Sequence, residues 1–194
     1  MASDGKWSQN ALPMSSPSLR TAAAGFTLLE LMIAVALVAI LVGIAAPSVR
    51  EFMSGVQLTG IANDLYTDLN LARSEAVKRD VRMTMCPSKD GLDCDDGGAW
   101  TDGWVVVVDA NGDGKKDGVN DVLKRGYALT GHATLTLSGG TKASFGPTGV
   151  AVGAPPVFSL CDPSPTEVAR KKGNGRTISV STTGRPSITK VNCP

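Results

Sequence analysis

The sequence is poor in the residue types on which most enzymes and metal centres depend. Its 194 residues include one histidine, four cysteines and only 5% aromatic residues. The cysteines form no CxxC pair and His132 is the only imidazole, so their spacing does not suit zinc. No Ser/His/Asp grouping, phosphate-cradling loop or catalytic pair of carboxylates stands out. We therefore expect a protein that is not an enzyme and that needs no cofactor.

The chain also lacks a strong net charge. Nineteen basic and 18 acidic residues give a formal charge of +1, which argues against a protein that coats nucleic acid. The charges are distributed unevenly, with an acidic stretch between Cys86 and Asp121 and a basic one between Cys161 and Pro194. We interpret most of these residues as solvated loops.

Ionisable side chains are almost absent from residues 26–46, where Glu30 is the only one. About 20 apolar residues suffice to cross a bilayer as a helix, whereas a carboxylate there costs about 2.5–3.5 kcal/mol. An ordinary secretory signal cleaved near Ile44-Ala45-Ala46 and a plain membrane anchor both leave Glu30 unexplained. A cut between Gly25 and Phe26 explains it better.

That cut would give Glu30 a partner. It frees an α-amino group on Phe26 and makes Glu30 the fifth residue of the mature chain. In helices stacked side by side, Glu30 of one subunit could pair with the Phe26 amine of its neighbour. Any other axial offset would leave a charge in an apolar core. We therefore expect Glu30 to set the register between subunits.

The segment Gly25-Phe26-Thr27-Leu28-Leu29-Glu30-Leu31-Met32 resembles the class III signal of type IV prepilins and pseudopilins. In that family a prepilin peptidase cuts after the glycine and methylates the new N-terminal phenylalanine. The resemblance implies a leader at residues 1–25, a transmembrane or filament-core helix at 26–46 and a soluble domain at 47–194. It also implies a single-pass inner-membrane protein with a periplasmic domain, which later enters a pilus or pseudopilus with other pilins.

The four cysteines allow three disulfide connectivities, and an exported chain meets an oxidising compartment that favours disulfides. Cys86 and Cys94 bracket a short Gly/Asp loop, which favours a local bridge. Cys161 and Cys193 would then close the C-terminal segment.

The sequence of the soluble part predicts one helix followed by many strands. Apolar residues recur at helical spacing as far as about residue 80, and Asp68 is among the polar residues expected outside that stripe. Short strands follow, punctuated by Gly, Pro and Asp. We expect an α+β, pilin-like fold in which a long N-terminal helix packs on an antiparallel, sandwich-like β domain. The predicted strands are 81–86, 104–108, 122–123, 127–129, 133–137, 157–160, 177–180 and 187–189.

The resemblance then extends along the chain to the GspH/FimT family of minor pilins and pseudopilins. The similar segments are Leu71–Val77, Cys86–Ser88, Asp102–Trp104, Asp109–Gly114 and Thr183–Arg185. Members of this family prime or cap type IV pili, or sit at the tip of the type II secretion pseudopilus. The FimT-type members are associated with pilus assembly, twitching and DNA uptake. The resemblance implies a minor type IV pilin, with a GspH-type pseudopilin or a DNA-binding tip pilin as alternatives.

An Asp-rich loop offers a possible calcium site. Asp109, Asn111, Asp113 and Asp117 follow the first nine positions of a calcium loop, with Gly114 at the sharp turn. Position twelve is Asn120 instead of a bidentate glutamate. We therefore favour an Asx-rich turn between two strands and keep calcium as the alternative.

The basic tail offers possible contacts to DNA phosphates, which position nucleic acid without reading its sequence. In FimT-type proteins a C-terminal Gly-Arg-x-Arg motif is tied to DNA binding. The matching residues are Gly184-Arg185-Pro186-Ser187, so the second arginine is replaced. Arg176 and Lys190 could substitute for it if the strands bring them together. A solvated hairpin closed by Cys193 is the alternative.

Overall fold

A computed structural model describes residues 25–118, 121–162 and 173–193. The chain divides into two compact units, Met1–Gly43 and Ile44–Pro194. Apart from Gly25, the predicted leader lies outside the described residues. Helix α1, Leu28–Arg79, begins in the first unit.

The N-terminal part of α1 is apolar and exposed. Leu28–Ala46 has a mean hydropathy of 2.8, and none of this window is buried. By length and composition it is the one helix among the described residues that could cross a membrane. In water such a surface would be unfavourable by about 25 cal/mol per Å², so this segment requires lipid or other helices around it.

The second half of α1 has a buried face that forms the core with the strands. Its fully buried apolar residues recur every three or four positions: Leu58, Ala62, Leu65, Leu69, Ala72 and Ala76. This spacing places them on one side of the helix. The expectation that Asp68 lies outside the stripe was wrong, because its side chain is only 2% exposed.

Within the residues that the structure describes, nine strands follow the helix and form two antiparallel sheets. The first sheet has the order β3-β2-β1-β5-β6 and the second the order β4-β7-β8-β9. The strands are β1 Met83–Pro87, β2 Trp104–Val108, β3 Val122–Gly126, β4 Thr134–Ser138, β5 Ala143–Phe145, β6 Ala151–Val152, β7 Val157–Cys161, β8 Gly175–Val180 and β9 Pro186–Val191. A short 3₁₀ helix, Trp100–Asp102, precedes β2. The α+β fold with a helix on antiparallel sheets is therefore confirmed.

Both sheets contribute to a single core under the helix. Side chains of β1, β5, β7 and β8 meet the apolar face of α1 there, and Phe145, Phe158 and Ile178 are fully buried. Alternate residues of β2 point the other way, where Val105 and Val107 pack with Cys86 in a second cluster. Since β2 is covered on both faces, its run of valines has no polar alternation.

Two local predictions failed. Residues 127–129 are not a strand, because β3 ends at Gly126 and the chain leaves the sheet there. The strands β5 and β6 were not predicted, because three and two residues are too few to show an alternating pattern of apolar and polar residues.

Arg73 joins three parts of the second unit. Its Nε donates to the carbonyl oxygen of Gly149 at 2.9 Å, and its Nη2 lies 3.5 Å from the carbonyl oxygen of Thr183. Gly149 belongs to the turn between β5 and β6, and Thr183 to the turn between β8 and β9. The guanidinium therefore holds one turn from each sheet against the helix.

This contact requires a glycine at position 184. Gly184 has φ +79°, and a Cβ placed there would lie 1.9 Å from the Gly149 carbonyl oxygen. Gly153 has nearly the same φ, +82°, but no atom within 4 Å of such a Cβ. Alanine substitutions at these two positions would therefore distinguish the free-energy cost of the left-handed backbone from that of the close approach to Gly149.

Gly184→Ala should destabilise the folded protein by about 3 kcal/mol, from about 1–2 kcal/mol of left-handed backbone strain and a similar cost of overpacking. Gly153→Ala should destabilise the protein only by the backbone strain, about 1–2 kcal/mol. Thermal unfolding followed by near-ultraviolet circular dichroism tests this, at roughly 2–4 °C per kcal/mol. Equal losses in the two variants would contradict the close-approach argument.

Candidate functional site

The N-terminus of α1 presents the predicted cleavage point before a capped helix. Gly25, Phe26 and Thr27 precede the helix, and Phe26 is 81% exposed. Thr27 Oγ1 accepts a hydrogen bond from the Glu30 backbone N–H at 3.2 Å, as an N-cap residue does. The Gly25–Phe26 bond therefore lies in non-helical backbone, and Glu30 lies in the first helical turn, where the helix dipole favours an acid.

The structure contains two disulfides, Cys86–Cys94 and Cys161–Cys193, with Cα–Cα distances of 5.5 and 5.7 Å. This is the pairing that the spacing favoured. The first closes the loop after β1. The second joins the end of β7 to the residues after β9 and passes over β8 at Gly175, where a Cβ would lie 2.9 Å from Cys193 Sγ.

The Asp-rich loop after β2 is organised by its own hydrogen bonds. Asp109 is buried and accepts from Thr84 Oγ1 at 2.6 Å and from the Gly114 N–H at 3.1 Å. Asp117 accepts from the Ala110 N–H at 2.5 Å, and Asn111 accepts from the Asp113 N–H at 2.9 Å. The contact between Asn111 and the Asp113 N–H is that of an Asx turn, and the others tie the two ends of the loop together and tie Asp109 to β1.

Two cationic side chains bind carbonyl oxygens of the same loop. Arg82 donates to Gly112 at 3.2 Å, and Lys142 donates to Gly114 at 2.8 Å. In the part of the chain that the structure describes, no three His, Cys, Asp or Glu side chains are placed to hold a metal ion. Asn120, position twelve of the predicted calcium loop, lies outside that part. Calcium binding stays a prediction.

Lysines also connect this loop to the disulfide loop. Lys142 lies 2.8 Å and Lys115 lies 3.4 Å from carboxylate oxygens of Asp96. The hydrogen bond from Lys142, with the charges of both lysines, lowers the pKa of Asp96. Asp96 of the acidic stretch is therefore neutralised within the domain.

The basic tail residues separate into two places on the β8–β9 hairpin. Arg176 and Lys190 are cross-strand neighbours near its open end. Arg185 lies at the tight turn, about five residues or roughly 17 Å away at strand spacing. The strands thus bring Arg176 and Lys190 together but leave Arg185 apart from them.

Arg176 also has structural partners. Its Nη1 donates to the carbonyl oxygens of Gly173 and Gly175 at 3.0 and 2.9 Å, and its Nη2 donates to Thr59 Oγ1 of α1 at 3.0 Å. Arg185 is exposed, and its hydrogen bonds involve only its backbone within the described residues: its N–H donates to Ser181 Oγ, and its carbonyl oxygen accepts from the Ser181 N–H. Of the two arginines, Arg185 is therefore the freer to meet an external anion.

Asp68 and Trp104 form a buried polar contact that the sequence analysis did not find. The indole N–H of Trp104 donates to Asp68 Oδ2 at 2.9 Å, and both residues are buried. The indole lies against Gly126 of β3, where a Cβ would lie only 2.1 Å from the ring. Burial raises the pKa of Asp68, although the Trp104 hydrogen bond opposes that shift.

Two family models match this chain. The model described as type II transport protein GspH matches residues 62–184, and the prokaryotic N-terminal methylation motif matches residues 20–46. Comparison with curated protein sequences found no match.

Solved structures with a similar fold are minor pilins and a minor pseudopilin. Two crystal structures of the type IV minor pilin FimU from Pseudomonas aeruginosa are 23% and 25% identical, with TM-scores of 0.53 and 0.50. They cover 71% and 68% of this chain and 92% of FimU in each case. A third structure is the minor pseudopilin EpsH from the type 2 secretion system of Vibrio cholerae. It is 11% identical to this chain and has a TM-score of 0.46. The match covers 70% of this chain and 97% of the EpsH chain.

An N-terminal methylation motif, an apolar helix and a helix packed on antiparallel sheets together define a type IV pilin-like protein. The GspH model covers more than half of the sequence, and the chain belongs to the GspH family of minor pilins and pseudopilins. Membership of this family of pilins and pseudopilins confirms the expectation that the chain is not an enzyme.

The residues that the sequence analysis missed act through long-range contacts. Asp68 lies three residues after Leu65 and four before Ala72, so helical spacing alone already places it on the buried face. The helical spacing could therefore have predicted that Asp68 is buried. It could not have predicted the hydrogen bond with Trp104, which lies 36 residues away in the sequence. Arg73 lay within a recognised segment, but no local pattern indicates carbonyl partners 76 and 110 residues away.

Asp68→Asn should stabilise the protein at neutral pH and not in acid. Because the folded-state pKa of Asp68 is raised above 3.8, its favourable contribution is present below the unfolded pKa and is lost as pH rises through the folded pKa. Asparagine can still accept the Trp104 hydrogen bond without a buried charge. Thermal unfolding between pH 3 and pH 7 should show the variant's advantage growing with pH, at roughly 2–4 °C per kcal/mol.

Asp102→Asn is the matched control, because Asp102 is an exposed aspartate in the 3₁₀ helix. The effect of the buried position is the difference in unfolding temperature between the two variants at each pH. A less stable Asp68→Asn variant at pH 7 would show that the ionised carboxylate is the form that the fold prefers.

Proposed function

We propose that this chain is a minor type IV pilin that a prepilin peptidase cleaves between Gly25 and Phe26. The observation that carries the proposal is the N-terminal geometry. The scissile bond lies in exposed, non-helical backbone directly before a Thr27-capped apolar helix with Glu30 in its first turn. The N-terminal methylation motif spans the same residues.

Assembly would follow from this arrangement. In the membrane, lipid surrounds Leu28–Ala46, and the domain after it lies on the periplasmic side, where its two disulfides can form. In a filament, the helices of other pilins replace the lipid. The new Phe26 amine then neutralises Glu30 of a neighbouring subunit, and this pair fixes the axial register.

The role of a minor subunit is to prime or cap the filament. The type II secretion pseudopilus is the alternative assembly, and the family model described as a type II transport protein favours it. The FimU structures, which cover most of the folded part of this chain, favour the pilus. Twitching and protein secretion are the separate readouts that distinguish these assemblies.

Glu30→Ala should leave cleavage intact and impair incorporation into filaments. Losing one partner of a buried charge pair costs about 3–5 kcal/mol, so we expect a decrease of at least an order of magnitude. Immunoblots of sheared filaments measure incorporation, and N-terminal sequencing of the membrane-bound chain measures cleavage. Glu30→Gln, which keeps the size but not the charge, should fail in the same way. Normal incorporation of either variant would contradict the register role.

A second candidate function is DNA binding at the filament tip. Arg176 and Lys190 lie side by side at one end of the β8–β9 hairpin, and Arg185 is exposed at the other. Phosphate contacts from both ends could hold a DNA strand along the hairpin. Because Arg176 already binds backbone carbonyls, Arg185 and Lys190 would make most of these contacts.

If DNA binds there, Arg185→Ala should weaken the affinity of the full-length chain in detergent for duplex DNA. It should also reduce the slope of log affinity against log salt by about one. Lys89→Ala removes an exposed lysine in the acidic disulfide loop and should change neither value. An affinity independent of salt, or unchanged by Arg185→Ala, would rule out this function.

A further inference from the structure

A cavity of about 290 Å³ lies within the second unit, between α1 and the chain that leaves β3. Asp64 and Asp68 line its helix side, and Gly126, Tyr127 and Leu129 line its sheet side. Such a volume is enough for one amino-acid side chain. None of the functions argued above uses this cavity.

A buried carboxyl group lines the cavity with unused hydrogen-bonding capacity. Asp68 is only 2% exposed, and its Oδ2 accepts from Trp104. Across the described residues, no donor reaches Oδ1 within hydrogen-bonding distance, and no ion pair includes Asp68. An ionised carboxylate has about four acceptor positions. Oδ1 is therefore open to the cavity, while burial of the rest of the residue makes its charge costly without a partner.

The cavity walls are held in place before any ligand arrives. The Trp104 indole is fixed between Asp68 and Gly126. Gln57 of α1 donates to the carbonyl oxygen and the hydroxyl of Thr130 at 2.7 and 2.8 Å, and the Leu129 N–H donates to the Thr101 carbonyl oxygen at 2.8 Å. Preorganisation of this kind lowers the cost of ordering a site on binding.

The chemistry of the walls selects a cation on an aliphatic stem. Asp64 lies one helical turn before Asp68 and adds a second carboxylate. Ile61 and Leu129 offer apolar surface to methylene groups, which lysine and arginine bury when their charged ends find partners. Tyr127 is 87% exposed and also lines the cavity, and its ring can stack on a guanidinium.

Two cations of the chain itself could compete for this site. Lys124 lines the cavity, and its charge acts on Asp68. Its side chain is nevertheless exposed, and it forms no ion pair or hydrogen bond within the described ranges. Arg125 also lines the cavity and is exposed, and its side chain extends towards Gly91, where an added Cβ would lie 3.2 Å from Arg125 Cδ.

We propose that this cavity binds an arginine or lysine side chain of a neighbouring subunit in the filament, with the Asp68 carboxylate as its buried partner. This inference rests on the proposed function, because the neighbour is another pilin. It adds a contact between the globular domains to the contact between N-terminal helices. A free amine of similar shape would meet the same chemistry, so the tests separate the pocket from its occupant.

The first test addresses the pocket alone. The ¹⁵N-labelled full-length chain in detergent is titrated with N-acetyl-arginine amide, and the Trp104 indole N–H signal is followed, assigned with Trp104→Phe. We expect a saturable shift with a dissociation constant on the order of 1 mM. The neutral N-acetyl-citrulline amide should cause no saturable shift. An equal response to both probes would overturn the proposal.

Variants then locate the binding. Asp68→Asn keeps the size of the side chain and its hydrogen bond to Trp104 but removes the charge. It should weaken the affinity for the arginine probe at least fivefold. Asp102→Asn should leave its affinity unchanged. Lys124→Gln should strengthen binding. If the probe moves the Trp104 signal only in Lys124→Gln and not in the parent chain, Lys124 fills the cavity and the proposal is wrong.

The second test addresses the occupant. Incorporation of Asp68→Asn into sheared filaments is compared with that of Asp102→Asn, with cleavage measured in parallel. We expect the first to be depleted several-fold and the second to match the parent chain. Equal incorporation of the two would rule out a neighbouring subunit as the occupant. If the parent chain entered no filament at all, the proposed function would fail, while the probe titration would still decide whether the pocket binds a cation.

Discussion

Packing of one helix face against two sheets is the interaction on which the domain depends. Six apolar residues of α1, from Leu58 to Ala76, are almost completely buried, and strands of both sheets meet them. Without the helix, the inner face of each sheet would be exposed, at about 25 cal/mol per Å² of apolar surface. The disulfides, the Arg73 contacts and the turn glycines all fix elements whose positions the helix already determines.

The same helix has two environments, and its sequence changes character accordingly. Up to Ala46 it is apolar on every side and suits lipid or other helices. Beyond Leu58 only one face is apolar, and polar residues such as Asn63 and Thr67 cover the other. Glu30 and Asp68 are the exceptions in these two parts. Each acid stands where apolar residues are expected, and each is argued to be a point of contact between subunits.

The elements that could be predicted from the sequence are those with a strong local pattern. The motif from Gly25 to Glu30, the buried valine strand β2 and the amphipathic spacing of α1 are each complete within a few turns or residues. It was insufficient where distant residues decide the outcome. Trp104 stacks on Gly126 at the end of β3, and no pattern in residues 127–129 reveals this. The grouping of Arg176 with Lys190, and the separation of Arg185, depend on the register of two strands.

The bond between Cys161 and Cys193 has a mechanical consequence. An edge strand such as β9 would ordinarily peel from its sheet when the chain is pulled. Here the closed ring encloses β8 and β9, with 32 residues of sequence separation between the two cysteines. At about 3.4 Å per residue, a fully stretched chain would lose roughly 110 Å of its extension to this ring. A pulling force on the chain therefore passes through this disulfide instead of extending the segment that it closes.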